Sequence, residues 1–133
     1  MNPTKITVAA LAVALGFTLA ASAQDGKMPP ASDKTGVTYA TDIKPIFDTS
    51  CIKCHTSGKK PKGGLALDSL EGALKGSKDG KVVTVGDSAN SDLVKAVSHI
   101  GDPDGFMPKG KKSTPLTSDQ IALIRAWIDQ GAK

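Results

Sequence analysis

The pattern of apolar and polar residues is typical of short helices joined by polar loops, and its clearest element lies near the C-terminus. Four apolar residues recur there at spacings of three and four: Ile121, Ile124, Trp127 and Ile128. This spacing places them on one face of an amphipathic helix. Thr117 and Gln120 form a capping box before this face, and Gly131 follows it as a terminator. The sequence therefore predicts a last helix between Thr117 and Gly131.

A second apolar pattern, over residues 39–51, predicts a helix that leads into a pair of cysteines. Its apolar positions also follow helical spacing: Tyr39, Ile43, Ile46 and Phe47. Thr41 or Asp42 is expected to cap its start. With Asp42 as the cap, Pro45 falls in the first turn, where no backbone N–H is needed. The helix would then end at Cys51.

Two shorter helices and a long loop complete the domain. A brief helix capped by Asp68 or Ser69 is expected to run through Leu74. A further helix is expected to open within residues 87–91 and to bury three apolar residues: Leu93, Val94 and Val97. Residues 101–115 form a long irregular segment, and such loops in small domains are usually functional or disordered. These patterns predict an all-α fold of three to four short helices with long loops.

The first 23 residues are typical of a secretory signal peptide and are excluded from the fold. Lys5 provides a positive charge, residues 6–20 form an uncharged apolar run, and Ala21-Ser22-Ala23 is a cleavage motif. An uncleaved membrane anchor is the alternative, but the apolar run is shorter than the roughly 20 residues that cross a bilayer as a helix. We therefore predict export to the periplasm.

The rest of the chain divides into a polar, flexible leader over residues 24–37 and a single domain over residues 38–133. The whole chain has 17 Lys and Arg against 13 Asp and Glu. The basic residues do not alternate with aromatic ones, which argues against a nucleic-acid partner. Only 4% of the residues are aromatic, so a small core completed by a large apolar cofactor is expected.

The candidate chemistry centres on Cys51-Ile52-Lys53-Cys54-His55, the C-x-x-C-H attachment signature of a c-type haem. Two thiols at this spacing can each add across one vinyl group of a single porphyrin, which gives two thioether bonds. His55 is then held beneath the ring with a nitrogen directed at the iron. We therefore predict one covalent haem c per chain, attached to Cys51 and Cys54, with His55 as an axial ligand.

Two alternatives use the same cysteines. A disulfide forms readily in an oxidising compartment, but a redox C-x-x-C is expected at the start of a helix that follows a strand, and the residues before Cys51 are predicted to be helical. A zinc site would need Cys51, Cys54, His55 and His99. Adjacent Cys54 and His55 are poorly placed as two corners of a tetrahedron. Haem attachment is favoured over both.

The second axial ligand has three candidates: Met107, His99 and Met28. Met107 lies in a loop with proline and glycine, away from any helical stripe, and Pro108 stiffens the backbone after it, which favours a ligand over a core residue. His99 follows a predicted helix end, where a cation suits the helix dipole, so a surface histidine is favoured, although a bis-histidine haem stays open. Met28 lies in the leader. The carbonyl of Pro61 is expected to hold the other ring nitrogen of the proximal histidine.

A set of motifs covers nearly the whole domain: D-I-x-P-I-F at 42–47, C-x-x-C-H at 51–55, G-G-L-x-L-D at 63–68, S-x-L at 91–93, D-P-x-x-x-M-P at 102–108 and L-T-x-x-Q-I-x-x-I-x-x-W-I-x-x-G-A at 116–132. Together they resemble a class I c-type cytochrome, in particular the short bacterial monohaem domain of the planctomycete type. The resemblance implies that Met107 is the distal ligand and that the first and last helices cross beside the haem. Lys109 departs from the pattern, since such domains often have a second proline there.

These features predict a carrier of one electron between iron(III) and iron(II), with His55 and Met107 filling both axial sites. Because no site remains for a substrate, we expect no enzymatic activity. The alternative is a haem with five ligands or a labile Met107, which would bind small ligands or act peroxidatically. The lack of a spare distal histidine beside an acid or an arginine argues against it.

The expected partners are redox proteins, and the chain is expected to be a monomer without stable membrane insertion. Seven lysines flank the candidate haem ligands along the sequence: Lys53, Lys59, Lys60, Lys62, Lys109, Lys111 and Lys112. If they surround an exposed haem edge, they form a positive rim that steers an acidic partner. The alternative is a set of solvated loop lysines without a docking role.

Overall fold

The computed structural model describes residues 26–133, and the predicted signal peptide lies outside them. Four α-helices lie in this range: α1 (Lys44–Ser50), α2 (Leu70–Lys75), α3 (Asp92–Val97) and α4 (Ser118–Asp129). A π-helical turn, Tyr39–Ile43, leads into α1, and 3-10 turns lie at Lys62–Gly64 and Pro103–Gly105. Residues 26–133 contain no β-strand, only an isolated bridge between Ser77 and Gly80. The predicted all-α class is confirmed.

The first helical segment begins earlier than either predicted cap. Thr38 is the N-cap, since its backbone is extended and its hydroxyl accepts a hydrogen bond from the N–H of Thr41 at 3.4 Å. Asp42 reaches back and accepts the N–H of Thr38 at 3.0 Å. The prediction of Thr41 or Asp42 as the cap is therefore wrong. The first turn starts here because Tyr39 is packed into the core, with 6% of its surface exposed.

The last helix, α4, has the predicted apolar face and lies at the centre of the core. Trp127 is fully buried, and its ring lies 6.4 Å from that of Phe47 in a T-shaped arrangement and 6.1 Å from that of Tyr39. Such aromatic pairs add about 0.5–1.5 kcal/mol each beyond the burial of their surface. The predicted capping box of Thr117 and Gln120 is formed at the start of α4. The first and last helical segments are thus joined through one aromatic cluster.

Each of the two middle helices begins after a serine, Ser69 or Ser91, and both serines lie in the regions where the helix starts are predicted. Ser69 accepts the N–H of Gly72 at 3.0 Å at the start of α2. Ser91 precedes α3, and its hydroxyl accepts the N–H of Thr84 at 2.9 Å and donates to the carbonyl of Asp87 at 2.9 Å. The predicted apolar residues of α3 are buried: Leu93, Val94 and Val97. The inner face of α3 therefore packs on the core, while its C-terminal end leads towards the long loop at 101–115.

Residues 26–37, which belong to the predicted leader, contain no helix or strand and are hydrogen-bonded to the C-terminal part of the domain. The N–H of Ser32 donates to the carbonyl of Ala122 at 2.9 Å. The side chain of Gln130 donates to the carbonyl of Lys34 at 2.7 Å and accepts the N–H of Val37 at 3.2 Å. These bonds align the segment along α4. The boundary between leader and domain at residues 37 and 38 stays a prediction.

Candidate functional site

A cavity of about 1040 Å³ lies between the C-x-x-C-H segment, α3 and the loop at 101–115. Its lining includes the four residues that the sequence predicts as the site: Cys51, Cys54, His55 and Met107. Its apolar wall comes from several elements: Leu65, Leu67, Val82, Leu93, Val97, Ile100 and Leu116. Residues separated by more than fifty positions in the sequence therefore meet around one apolar space.

The C-x-x-C-H segment forms a tight turn directly after α1. The N–H groups of Cys54 and His55 both donate to the carbonyl of Cys51, at 3.1 and 3.0 Å. All three residues of this turn line the same cavity. Cys51 is half-buried and Cys54 is exposed, and the two are not joined by a disulfide.

The environment of Cys51 argues against the redox-disulfide alternative. Burial raises the pKa of the Cys51 thiol from 9.0 to about 11, so the neutral thiol is the stable form near neutral pH. A redox C-x-x-C needs an attacking thiol with a lowered pKa, usually at a helix N-terminus. Here the cysteine pair follows the C-terminus of α1, Lys44–Ser50, where the helix dipole disfavours a thiolate.

His55 is oriented by a backbone carbonyl, although not by the one that the sequence analysis names. Its Nδ1 atom lies 3.2 Å from the carbonyl oxygen of Leu65, while the carbonyl of Pro61 accepts the N–H of Gly64. The prediction of Pro61 is therefore wrong. Because a carbonyl oxygen only accepts, Nδ1 carries the proton and Nε2 keeps its lone pair. A histidine in this tautomer is suited to bind a metal through Nε2.

The zinc alternative finds no support in the described part of the chain. Over residues 26–133, no group of three or more His, Cys, Asp or Glu side chains is arranged to hold a metal ion. His99 also lies outside the lining of the cavity that Cys51, Cys54 and His55 share. Side chains of these residue types alone therefore do not assemble a tetrahedral site.

Met107 is half-buried in the cavity wall, and its backbone is held by the end of α3. Its N–H donates to the carbonyl of Ala96 at 3.0 Å. The following Pro108 also lines the cavity. Lys109, which departs from the family pattern, is exposed and bonds through its ammonium group to the carbonyl of Asp104. At the position where a second proline is absent, the Lys109 side chain therefore links the loop to the 3-10 turn at Pro103–Gly105.

The other two candidates for the second ligand lie elsewhere. Met28 packs against the hydrophobic core and does not line the cavity. The Nε2 atom of His99 lies 3.1 Å from the carbonyl oxygen of Met107, and its ring stacks on Phe106. His99 is half-buried, so the expectation of a simple surface histidine does not describe it. Its contact with Phe106 was not visible in the sequence, because it depends on the fold of the loop between them.

The donor set and the cavity fit a covalently bound haem. Two free thiols at the attachment spacing, an imidazole with a free Nε2 and a thioether all face one apolar space. Its volume of about 1040 Å³ is slightly above the roughly 300–1,000 Å³ that is usual for pockets that hold cofactors or small molecules. Cys51 and Cys54 are the residues that would hold the porphyrin, and His55 and Met107 are those that would bind its iron.

Lysines surround the cavity. Six of them line it: Lys53, Lys62, Lys95, Lys109, Lys111 and Lys112. Two aspartates also line it, Asp92 and Asp102, and Asp92 lies 3.4 Å from Lys95. Of the seven lysines predicted from the sequence, Lys59 and Lys60 are not among the lining residues. Lys95 was missed because it lies on α3, far from both ligand motifs in the sequence.

The arrangement of this site is similar to what is expected of a c-type cytochrome domain, and a comparison with known families points in the same direction. Residues 51–110 match the family model described as Planctomycete cytochrome C. This match confirms the resemblance that the sequence motifs indicate, and the family implies covalently bound haem c. The matched range contains all four predicted site residues.

Two further comparisons bear on the chain. Among solved structures, a similar chain is described as Kuenenia stuttgartiensis Hydrazine Synthase, with 25% sequence identity and a TM-score of 0.49; the alignment covers 72% of this chain and 16% of that chain. No curated protein matches the chain significantly. In the described residues, 26–133, no helix is long and apolar enough to cross a membrane.

Proposed function

We propose that this chain is an exported monohaem c-type cytochrome that carries one electron at a time, with His55 and Met107 as the axial ligands. The observation that supports this most directly is the shared cavity. Both thiols of the attachment motif, the imidazole of His55 and the thioether of Met107 line one apolar space. Periplasmic location and cleavage of the signal peptide after Ala23 belong to the same proposal.

Each of these residues has a distinct role. Cys51 and Cys54 bind the porphyrin through two thioether bonds, which fixes its position without a further anchor. The hydrogen bond between His55 Nδ1 and the carbonyl of Leu65 orients the imidazole and increases the basicity of Nε2. When bound, the haem supplies an iron that changes between the iron(III) and iron(II) states. A thioether from Met107 favours iron(II) and raises the reduction potential.

The apolar wall of the cavity determines how the site behaves during electron transfer. Its leucine, isoleucine and valine side chains exclude water, so little solvent has to reorganise when the charge changes. With two strong axial ligands from the protein, no open position is left for a substrate. We therefore infer a carrier that needs no catalytic acid or base and holds one haem per chain.

The proposed partner is a redox protein with an acidic docking surface, and the carrier acts as a monomer. The charge distribution supports this, since six lysines and two aspartates line the cavity. A positive surface around the site of electron transfer accelerates encounters with a negative partner and weakens with rising ionic strength. The excess of lysines also disfavours the apolar contacts of a permanent complex.

The proposal is tested by the mass and visible spectrum of the exported protein, using Met107→Ala and the matched control Met28→Ala. Both changes remove a methionine, but only Met107 lines the cavity. We expect a covalent haem in all three proteins, a far-red methionine-to-iron(III) band in the wild type and in Met28→Ala, and loss of the band in Met107→Ala.

Other outcomes distinguish the alternatives. A wild type that has covalent haem but lacks the far-red band, and that rapidly binds carbon monoxide when reduced, would indicate an open or labile distal site and a ligand-binding or peroxidatic function. A chain without haem after expression with a competent maturation system would overturn the proposal at its first step.

A further inference from the structure

The backbone of Met107 is held at both of its polar groups by α3 and the turn that follows it. Its N–H donates to the carbonyl of Ala96 at 3.0 Å, and its carbonyl oxygen lies 3.1 Å from Nε2 of His99. Ala96 lies in the last turn of α3 and His99 follows its C-cap, so two residues that are three positions apart contact a single residue of the loop. A residue held in this way cannot slide along α3 without breaking both bonds.

The ring of His99 is itself fixed by Phe106. The two rings are stacked, with centroids 4.9 Å apart and planes inclined by 8°. Because Phe106 immediately precedes Met107, the stack aligns the imidazole plane with the segment to which it bonds. The Met107 carbonyl can only accept, so the proton lies on Nε2 of His99. This nitrogen is therefore engaged and does not compete for the metal.

His99 has a left-handed backbone conformation directly after the C-cap of α3. Ser98 is the C-cap of α3, and His99 follows it with a φ of 55°. Helices commonly end with glycine in this left-handed conformation, since other residues are strained there. This chain has glycine two positions later, at Gly101, and histidine at the strained position itself. The hydrogen bond and the ring stack of the His99 side chain offset part of the cost of this conformation.

We propose that His99 is a positioning residue that keeps the thioether of Met107 at the haem site, a role that rests on the proposed His55 and Met107 ligation. The hydrogen bond from Nε2 fixes the Met107 carbonyl, the stack on Phe106 fixes the imidazole, and the end of α3 carries both. His99 thereby limits the opening of the distal side to competing ligands. It binds neither the iron nor the porphyrin.

The test is the affinity of the oxidised holoprotein for exogenous imidazole, which must displace Met107 to bind. His99→Asn is the main variant, because asparagine tolerates a left-handed backbone but is too short to make both contacts. We expect imidazole to bind about two- to tenfold more tightly, the factor that corresponds to the loss of one hydrogen bond. Phe106→Leu removes the stack alone and should give a smaller change in the same direction.

A control separates this role from general stability. Ile128→Val shortens a fully buried side chain of α4 that does not line the cavity. It lowers the free energy of unfolding by an amount similar to that of a lost hydrogen bond. We expect its imidazole affinity to equal that of the wild type. If His99→Asn and Ile128→Val give the same imidazole affinity, His99 is merely structural and the inference is wrong.

A spectroscopic readout decides the matter even if His99→Asn does not fold. In the reduced wild-type protein, nitrogen-proton correlation spectra report the tautomer of each histidine ring, and we expect the Nε2–H form for His99. The Nδ1–H form would overturn the inference while leaving the ligation by Met107 intact. A wild type without the far-red methionine band would overturn both proposals together, so the two failures are distinguishable.

Discussion

The Nδ1 atom of His55 lies 3.2 Å from the carbonyl oxygen of Leu65, which belongs to the loop that closes over the C-x-x-C-H turn. The same loop donates the N–H of Leu67 to the carbonyl of His55 at 2.8 Å. His55 is therefore held at its side chain and at its backbone by two residues of one short segment. The direction of the Leu65 carbonyl depends on the preceding glycines, Gly63 and Gly64, which have φ values of 64° and 72°.

The first prediction concerns Gly64→Ala. A Cβ atom at Gly64 would lie 3.2 Å from the backbone nitrogen of Lys78, and alanine is strained at this φ. We expect the free energy of unfolding to fall by about 1–2 kcal/mol and the reduction potential to change, since a shift of the Gly64 backbone is passed on to Leu65, the next residue. Thermal unfolding and a redox titration of the holoprotein measure the two effects.

Gly58→Ala is the matched control for this change. Gly58 lies in the same loop, but it has no left-handed backbone and its Cβ would meet only the Thr56 hydroxyl oxygen, at 3.9 Å. We expect both its stability and its potential to stay near those of the wild type. Equal effects of Gly58→Ala and Gly64→Ala would show that the loop backbone does not set the geometry of His55.

The second prediction concerns Asp68, which organises the residues after His55. Its Oδ2 atom accepts the hydroxyl of Thr56 at 2.9 Å, the N–H of Ser57 at 2.9 Å and the hydroxyl of Ser57 at 2.6 Å. These hydrogen bonds lower the pKa of the Asp68 carboxyl below its ordinary value of 3.8, and the bond from the Ser57 side chain has the largest effect. The ionised carboxylate is therefore the form that stabilises the fold.

The sign of the pH dependence follows from this direction. The contribution of Asp68 is fully present above pH 3.8 and is lost as the pH falls through the lower pKa of the folded state. We expect Asp68→Asn to be less stable than the wild type at neutral pH, with a difference that shrinks below pH 3.8. Ser57→Ala should raise the pKa of Asp68 towards its ordinary value. Unfolding curves between pH 2 and pH 6 measure both, and a constant difference across this range would contradict the prediction.

The last helix is predictable because its signals are local, whereas the cap of the first segment depends on contacts between distant parts of the chain. Thr117 and Gln120 are three residues apart and form their capping box without help from the rest of the chain. The first segment is capped by Thr38 and not by Thr41 or Asp42, and its first residue, Tyr39, is packed against the distant Trp127. No local pattern reports such a contact.

The site residues also divide into those that a local motif identifies and those whose contacts depend on distant segments. The C-x-x-C-H motif is local, so the attachment residues could be read directly from the chain. The carbonyl that orients His55 could not, because two left-handed glycines turn Leu65 and not Pro61 towards the ring. The hydrogen bond between His99 and Met107 depends on a loop that folds back on α3, and the pattern of residue types does not predict how that loop folds.

The third prediction concerns Tyr39, whose hydroxyl donates to the carbonyl of Leu67 at 2.8 Å. Tyr39→Phe keeps the ring in the aromatic cluster and leaves the Leu67 carbonyl without this donor. We expect the free energy of unfolding to fall by about 1–2 kcal/mol, since an unsatisfied buried acceptor adds its desolvation cost to the lost bond. Denaturant unfolding measures the change, and an unaltered free energy would show that the bond contributes nothing.

Tyr39 also makes the stability of the fold depend on pH in the alkaline range. Burial raises the pKa of Tyr39 from 10.0 to about 12. Its contribution to stability is present below pH 10 and is lost as the pH rises towards 12, because the unfolded chain ionises first. Tyr39 is the only tyrosine in the chain, so tyrosinate absorbance assigns the titration without ambiguity. We expect a midpoint well above 10, and the difference in stability between the wild type and Tyr39→Phe should decrease between pH 10 and pH 12.

The last prediction tests the lysines around the cavity with small redox reagents of opposite charge. Electron transfer from the anion hexacyanoferrate(II) should slow as ionic strength rises, and transfer from the cation hexaammineruthenium(II) should accelerate, since screening weakens attraction and repulsion alike. Replacing three lining lysines by glutamine, Lys53, Lys111 and Lys112, should lower the rate with the anion by up to about tenfold at low salt.

The control replaces three lysines that do not line the cavity: Lys75, Lys78 and Lys81. Both triple variants lose the same net charge, so only a local effect separates them. Equal rates in the two variants, or rates independent of ionic strength, would show that the lysines are solvated loop residues without a role in docking.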